Sequence, residues 1–140
     1  MQLTDPVERI RALISRFLFG ELPPDIVEGL PPAVDRANLE LDDPLIALIE
    51  VRVQAIHDAE YKDRIGRIDR AVRDQFAADI AEGIERGSIR EADPEEAAET
   101  LYTLLIGGLL RRTTTDVELE TVRDDAYEFV DQSLVVDTDS

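Results

Sequence analysis

Few residues in this chain are suited to chemistry, and their spacing suits it poorly. The 140 residues include one histidine, His57, and no cysteine. Thiol catalysis, disulfides and thiolate metal sites are therefore excluded. A metal held by His57 would need carboxylates for its remaining ligands, and the paired Glu-x-x-His pattern of a di-iron bundle does not occur. Ser15, Ser88 and Ser133 lack the surroundings of a nucleophile elbow. Gly107-Gly108 falls inside a helical pattern and is no phosphate loop. A glycine in a helix interior costs about 1 kcal/mol and usually has a packing reason, so the pair points to a close helix–helix or subunit contact. The scattered carboxylates read as solvated surface. No catalytic residue, metal or cofactor is expected.

Arg52 is the exception among the polar residues. On a helical wheel it lies in the middle of an apolar face formed by Leu45, Leu48, Ile49, Ile56 and Ala59. A guanidinium there needs a carboxylate or a route to water. Asp69 occupies the apolar face of the following helix, beside Val72 and Phe76. An antiparallel hairpin turning at Glu60-Tyr61 would pair Ile56 with Ile65, Ile49 with Val72 and Leu45 with Phe76, and would set Arg52 against Asp69. Three readings follow: a buried Arg52–Asp69 bridge, an Arg52 that meets an acidic ligand in a core cavity, or a guanidinium snorkelling to water.

The elements that position these residues are helical throughout, because Val and Ile recur at steps of three and four rather than two. The first helix is expected over Pro6–Phe19, capped by Asp5 and ended by Gly20. Pro23-Pro24 and Pro31-Pro32 punctuate the next stretch, with a short helix over Pro32–Leu39. A helix over Pro44–Ala59 follows, capped by Asp43. The longest helix is expected over Tyr61–Arg86, with the stripe Ile65, Ile68, Val72, Phe76 and Ile80, polar-face pairs Asp69/Arg73 and Arg70/Asp74, and a stop at Gly87. After a tight connection around Ile89, Asp93-Pro94-Glu95-Glu96 starts a helix that runs to about Arg112, with a capping box at Glu96. The last helix is expected over Val117–Val135. The fold class is all-α, a single domain of five to six helices.

Composition narrows the partners. Apolar residues form 44% of the chain, enough for a core, and the formal net charge is −17. A field of that sign repels phosphate, so direct nucleic-acid binding is disfavoured, as is an anionic membrane surface. The longest apolar run, Leu104–Leu110, is far too short to cross a bilayer. Met1–Arg11 has no apolar signal-peptide segment, and a cytoplasmic location is expected. Lys62 is the one lysine among fifteen basic residues. An acidic excess with almost no lysine fits adaptation to high salt, as in a salt-loving archaeon; a GC-rich genome gives the same arginine bias. Residues 93–140 hold thirteen acids against three bases, so the final two helices are strongly acidic.

The run Ala81-Glu82-Gly83-Ile84-Glu85-Arg86-Gly87-Ser88-Ile89-Arg90, followed by Asp93-Pro94-Glu95-Glu96-Ala97-Ala98, resembles the regulatory domain of TetR-family transcriptional regulators. The stretch Leu48–Asp58 is similar to the preceding helix in TetR-like proteins of salt-loving archaea. The resemblance covers residues 42–136 well and 5–20 loosely. It implies a helical ligand-sensing core in a non-enzymatic regulator, the alternatives being a ligand-free interaction module or a small helical enzyme, and a homodimer whose last two helices pair with their copies in a four-helix interface. It also implies DNA contact only through a helix-turn-helix unit, which these 140 residues are expected to lack. The expected interface residues are Leu101, Leu105, Gly108, Leu109, Val122, Ala126, Phe129 and Val130. The expected ligand cavity lies between the first helix, the Pro44–Ala59 helix and the long helix, lined by Phe17, Arg52, Ile56, Val72, Phe76 and Tyr102. Such a lining suits a small lipophilic molecule. A neutral ligand is expected where Asp69 neutralises Arg52, and an acyl or aromatic carboxylate where it does not.

Overall fold

Local chemistry at the helix ends sets the architecture. The computed structural model describes residues 5–19 and 44–136, with side chains from Leu48 onward in the second stretch. The expected helix over Pro32–Leu39 and the pairing of Leu45 with Phe76 lie outside the described residues. Five helices, and no strand among the described residues, bear out the all-α class.

Helix α1 spans Pro6–Leu18. The Asp5 carboxylate accepts from the Val7 amide at 3.0 Å, and Pro6 takes the first position, where a missing N–H costs nothing. Its inner face buries Val7, Ile10, Leu13, Ile14, Phe17 and Leu18. Helix α2 spans Pro44–Gln54 and stops short of the expected Ala59. The amides of Ile56 and His57 reach back only three residues, to the carbonyls of Val53 and Gln54, at 3.1 Å each. Asp58 then adopts an extended conformation and accepts from the Glu60 and Tyr61 amides. Ala59 is therefore the first residue of α3 rather than the last of α2.

Helix α3, Ala59–Arg86, is the hub against which α1, α2 and α4 pack. Its stripe of Ile65, Ile68, Val72, Phe76 and Ile80 is buried as expected. Gly87 ends it with φ 81°, a left-handed conformation that glycine adopts without Cβ strain. The polar face differs from expectation. Asp69 is drawn inward, and Arg73 reaches Glu99 of the next helix at 3.3 Å. The i, i+4 pairs on this helix are Glu60–Arg64, Asp63–Arg67 and Glu82–Arg86, each with the acid on the N-terminal side, the favourable order.

Helix α4 spans Pro94–Thr114 and α5 spans Leu119–Ser133. Asp93 caps α4 by accepting from the Glu95 and Glu96 amides. The α4–α5 contact is close because of Gly108, where an added Cβ would lie 2.3 Å from Val122 Cγ1. At the far end, the Arg90 amide donates to the Leu134 carbonyl at 2.8 Å and the Val136 amide to the Ser88 carbonyl at 3.1 Å. This tie carries Ile89 into the core. Among the described residues no helix is long and apolar enough to cross a membrane.

Candidate ligand site

Arg52, near the C-terminal end of α2, meets Asp69 of α3 in an ion pair, as equal spacing from the turn predicts. Asp69 Oδ1 also accepts from the Tyr102 hydroxyl of α4 at 2.7 Å. One carboxylate thus joins three helices. Burial is the main cause that pushes the Tyr102 hydroxyl pKa upward, and the Asp69 charge and hydrogen bond add to it. Tyr102 therefore stays protonated and remains a donor. Its ring meets Phe17 of α1 edge-on, with centroids 5.8 Å apart.

The bridge is not sealed. The Arg52 and Asp69 side chains are 28% and 33% exposed, while Arg52 Nε is buried without a hydrogen-bond partner. Beside them an open groove of about 420 Å³ runs between α2 and the N-terminal half of α3. Arg52, Ala55, Ile56, Lys62, Ile65, Gly66 and Asp69 line it.

The six expected cavity residues separate. Arg52 and Ile56 line the groove. Phe17, Val72, Phe76 and Tyr102 belong to the packed core. Ile56 is 66% exposed, because α2 has ended before it and its side chain leaves the inward stripe. Ala55, Ile65, Gly66 and Lys62 carried no sequence signal for a site beyond the singularity of the lysine. His57 sits exposed in the α2–α3 turn. Among the described residues no three His, Cys, Asp or Glu side chains converge in a way that could hold a metal.

Most of the residues expected at a subunit interface face inward. Leu101, Leu105, Leu109, Val122, Ala126 and Val130 are buried within the chain itself. The α4–α5 hairpin uses its main stripe to cover α1, α3 and itself. Gly108 contacts Val122 inside the hairpin. Phe129 is half-buried beside a shallow groove with Ala97 and Thr100.

Two arginines with no local sequence signal clasp α1. Arg9 pairs with Asp79, Nε to Oδ1 at 3.1 Å, and with Glu82, both on α3. Arg11 pairs with Asp131 of α5 and stacks over the Tyr127 ring at 5.7 Å.

Helices packed on one long central helix, closed by a helical hairpin and flanked by a side groove, make up the described residues. The family described as "BetI-type transcriptional repressor, C-terminal" matches residues 36–135, and the chain belongs to it. A similar solved structure is a TetR transcription regulator from Haloarcula marismortui, with a TM-score of 0.73 and 29% sequence identity. That match covers 96% of this chain and 66% of the other, so the chain spans just under two thirds of that protein's length. No curated protein matches.

Proposed function

We propose that the chain is the small-molecule-sensing and dimerisation domain of a TetR-like transcriptional regulator working in a salt-adapted cytoplasm. DNA is read by a helix-turn-helix unit outside these 140 residues, and the domain itself catalyses nothing. The observation that carries the sensing role is the Asp69 junction. A polar link between α2, α3 and α4, one face of it open to a mostly apolar groove, is what a small lipophile needs in order to alter helix packing.

Dimerisation uses the outer side of the α4–α5 hairpin. Phe129 from the expected set remains partly accessible there, joined by Leu104, Gly107 and the 46%-exposed Leu110. An isologous contact of two hairpins makes a four-helix interface. Thermal shifts with a panel of neutral and acidic lipophiles, on wild type and Arg52→Met, test the sensing role. Stabilisation by at least one class is expected. No shift with any of them, and a dimer that forms regardless, would reduce the domain to a plain dimerisation module.

A further inference from the structure

The groove between α2 and α3 departs in charge from the average of the chain. The chain carries a formal net charge of −17, yet the ionisable residues lining the groove are Arg52, Lys62 and Asp69, a local excess of one positive charge. Asp69 is committed to Arg52 and Tyr102. The acids nearest in sequence are committed as well. Glu60 pairs with Arg64, Asp63 pairs with Arg67, and Asp58 caps α3. Among the described residues Lys62 has no carboxylate partner. It also stands in the first turn of α3, where the helix dipole disfavours a cation. In a chain whose other fourteen bases are arginine, the one lysine sits at the rim of an apolar groove and in a position that opposes local electrostatics.

The floor is built to receive hydrocarbon. Ile56 offers an exposed aliphatic side chain, Ala55 and Ile65 lie beside it, and Gly66 leaves the α3 backbone bare. Resting on the sensing role above, we propose that this groove takes a small amphiphilic monoanion, its apolar body on Ala55, Ile56, Ile65 and Gly66 and its carboxylate on the Lys62 ammonium. Arg52, already neutralised by Asp69, shapes the inner wall and is not the anchor.

Calorimetric titration with octanoate and 1-octanol, on wild type, Lys62→Gln and Gly66→Leu, tests this. An added Cβ at Gly66 meets only Arg70 Nη1, at 3.6 Å, so leucine there fills the groove without disturbing the fold, and circular dichroism confirms the helix content. Octanoate is expected to bind wild type about tenfold tighter than octanol, as one charge-assisted contact supplies. Lys62→Gln is expected to remove that preference and leave octanol unchanged. Gly66→Leu is expected to abolish both, and rising salt to narrow the gap in wild type. Equal affinities in wild type, or an octanoate preference that survives Lys62→Gln, overturn the anion assignment. The sensing role survives that result provided Gly66→Leu still abolishes binding. Binding that is indifferent to Gly66→Leu, or no binding of either probe, overturns the groove as the ligand site.

Discussion

Gly108→Ala isolates what holds the α4–α5 hairpin together. A glycine in the interior of a long helix forgoes about 1 kcal/mol of helix propensity relative to alanine. The new methyl would lie 2.3 Å from Val122 Cγ1, 3.1 Å from Cγ2 and 3.2 Å from Cβ. Carbon atoms normally rest about 3.5–4.0 Å apart, so the helices must separate by roughly 1 Å. Rotating Val122 does not relieve this, because a helical valine has one strongly preferred rotamer and its Cβ is itself too close. Overpacking of this kind costs about 1–3 kcal/mol. The net expectation is a loss of about 1 kcal/mol, with an upper end near 2. Val122→Ala alone should cost about 2 kcal/mol for its lost methyls and the void they leave. The double variant should cost less than the sum by at least about 1 kcal/mol, because the new methyl occupies the vacated space. Urea unfolding followed by circular dichroism at molar salt gives all three values. A Gly108→Ala variant more stable than wild type, or strict additivity in the double variant, would refute the close-approach argument. It would also return Gly108 to the subunit surface.

Other outcomes follow from the same geometry. Tyr102→Phe removes one donor from an acceptor that keeps Arg52 and is one-third exposed, so a loss of about 1 kcal/mol is expected; an unchanged urea midpoint contradicts the junction. Burial raises the Asp79 pKa above 3.8 despite Arg9. The folded chain therefore holds that proton more tightly than the unfolded chain, and the group's contribution to stability is lost as pH rises upward from 3.8. The stability of Asp79→Asn relative to wild type should improve over that rise, and a difference independent of pH counts against it. Two acidic hairpins repel each other, so the dimer should tighten as salt shortens the screening length from about 10 Å at 0.1 M to about 3 Å at 1 M. Sedimentation showing a monomer at molar salt and micromolar protein disproves the dimer.

Helix termini were the most legible feature, because their signals are local. Asp5-Pro6, Asp93-Pro94 and Gly87 each combine a side-chain acceptor, a fixed φ or a permissive φ with the start or end of an apolar stripe. The α2–α3 junction was read less well. Asp58 is a cap of the same kind, but Ala59 continues the apolar spacing of α2, so periodicity alone extends that helix past its end. That one displacement moved Ile56 from the inward stripe to the groove. The Arg52–Asp69 pair was legible because a hairpin fixes register from its turn. The clasps of Arg9 and Arg11 were not, since they bridge 70 and 120 residues of sequence and no local pattern specifies such a partner. The interface residues show a further limit. An apolar stripe on α4 says that it is buried, not by what, and the hairpin's own core claimed most of it.

The groove and the N-terminal helix are physically continuous. Arg52 pairs with Asp69, Asp69 accepts from Tyr102, and the Tyr102 ring abuts Phe17 in the last turns of α1. α1 is in turn fastened to α3 by Arg9 and to α5 by Arg11. Contiguity alone is not coupling, which needs an element with two arrangements that both sites bias. α1 is held in two different ways. Its apolar face packs on α3, α4 and α5, while its clasps are partly exposed ion pairs, individually weak and open to exchange. A molecule seated against Asp69 would act on Tyr102 first, and through its ring on Phe17. In the function proposed above, α1 is the helix through which a preceding DNA-reading unit would be moved.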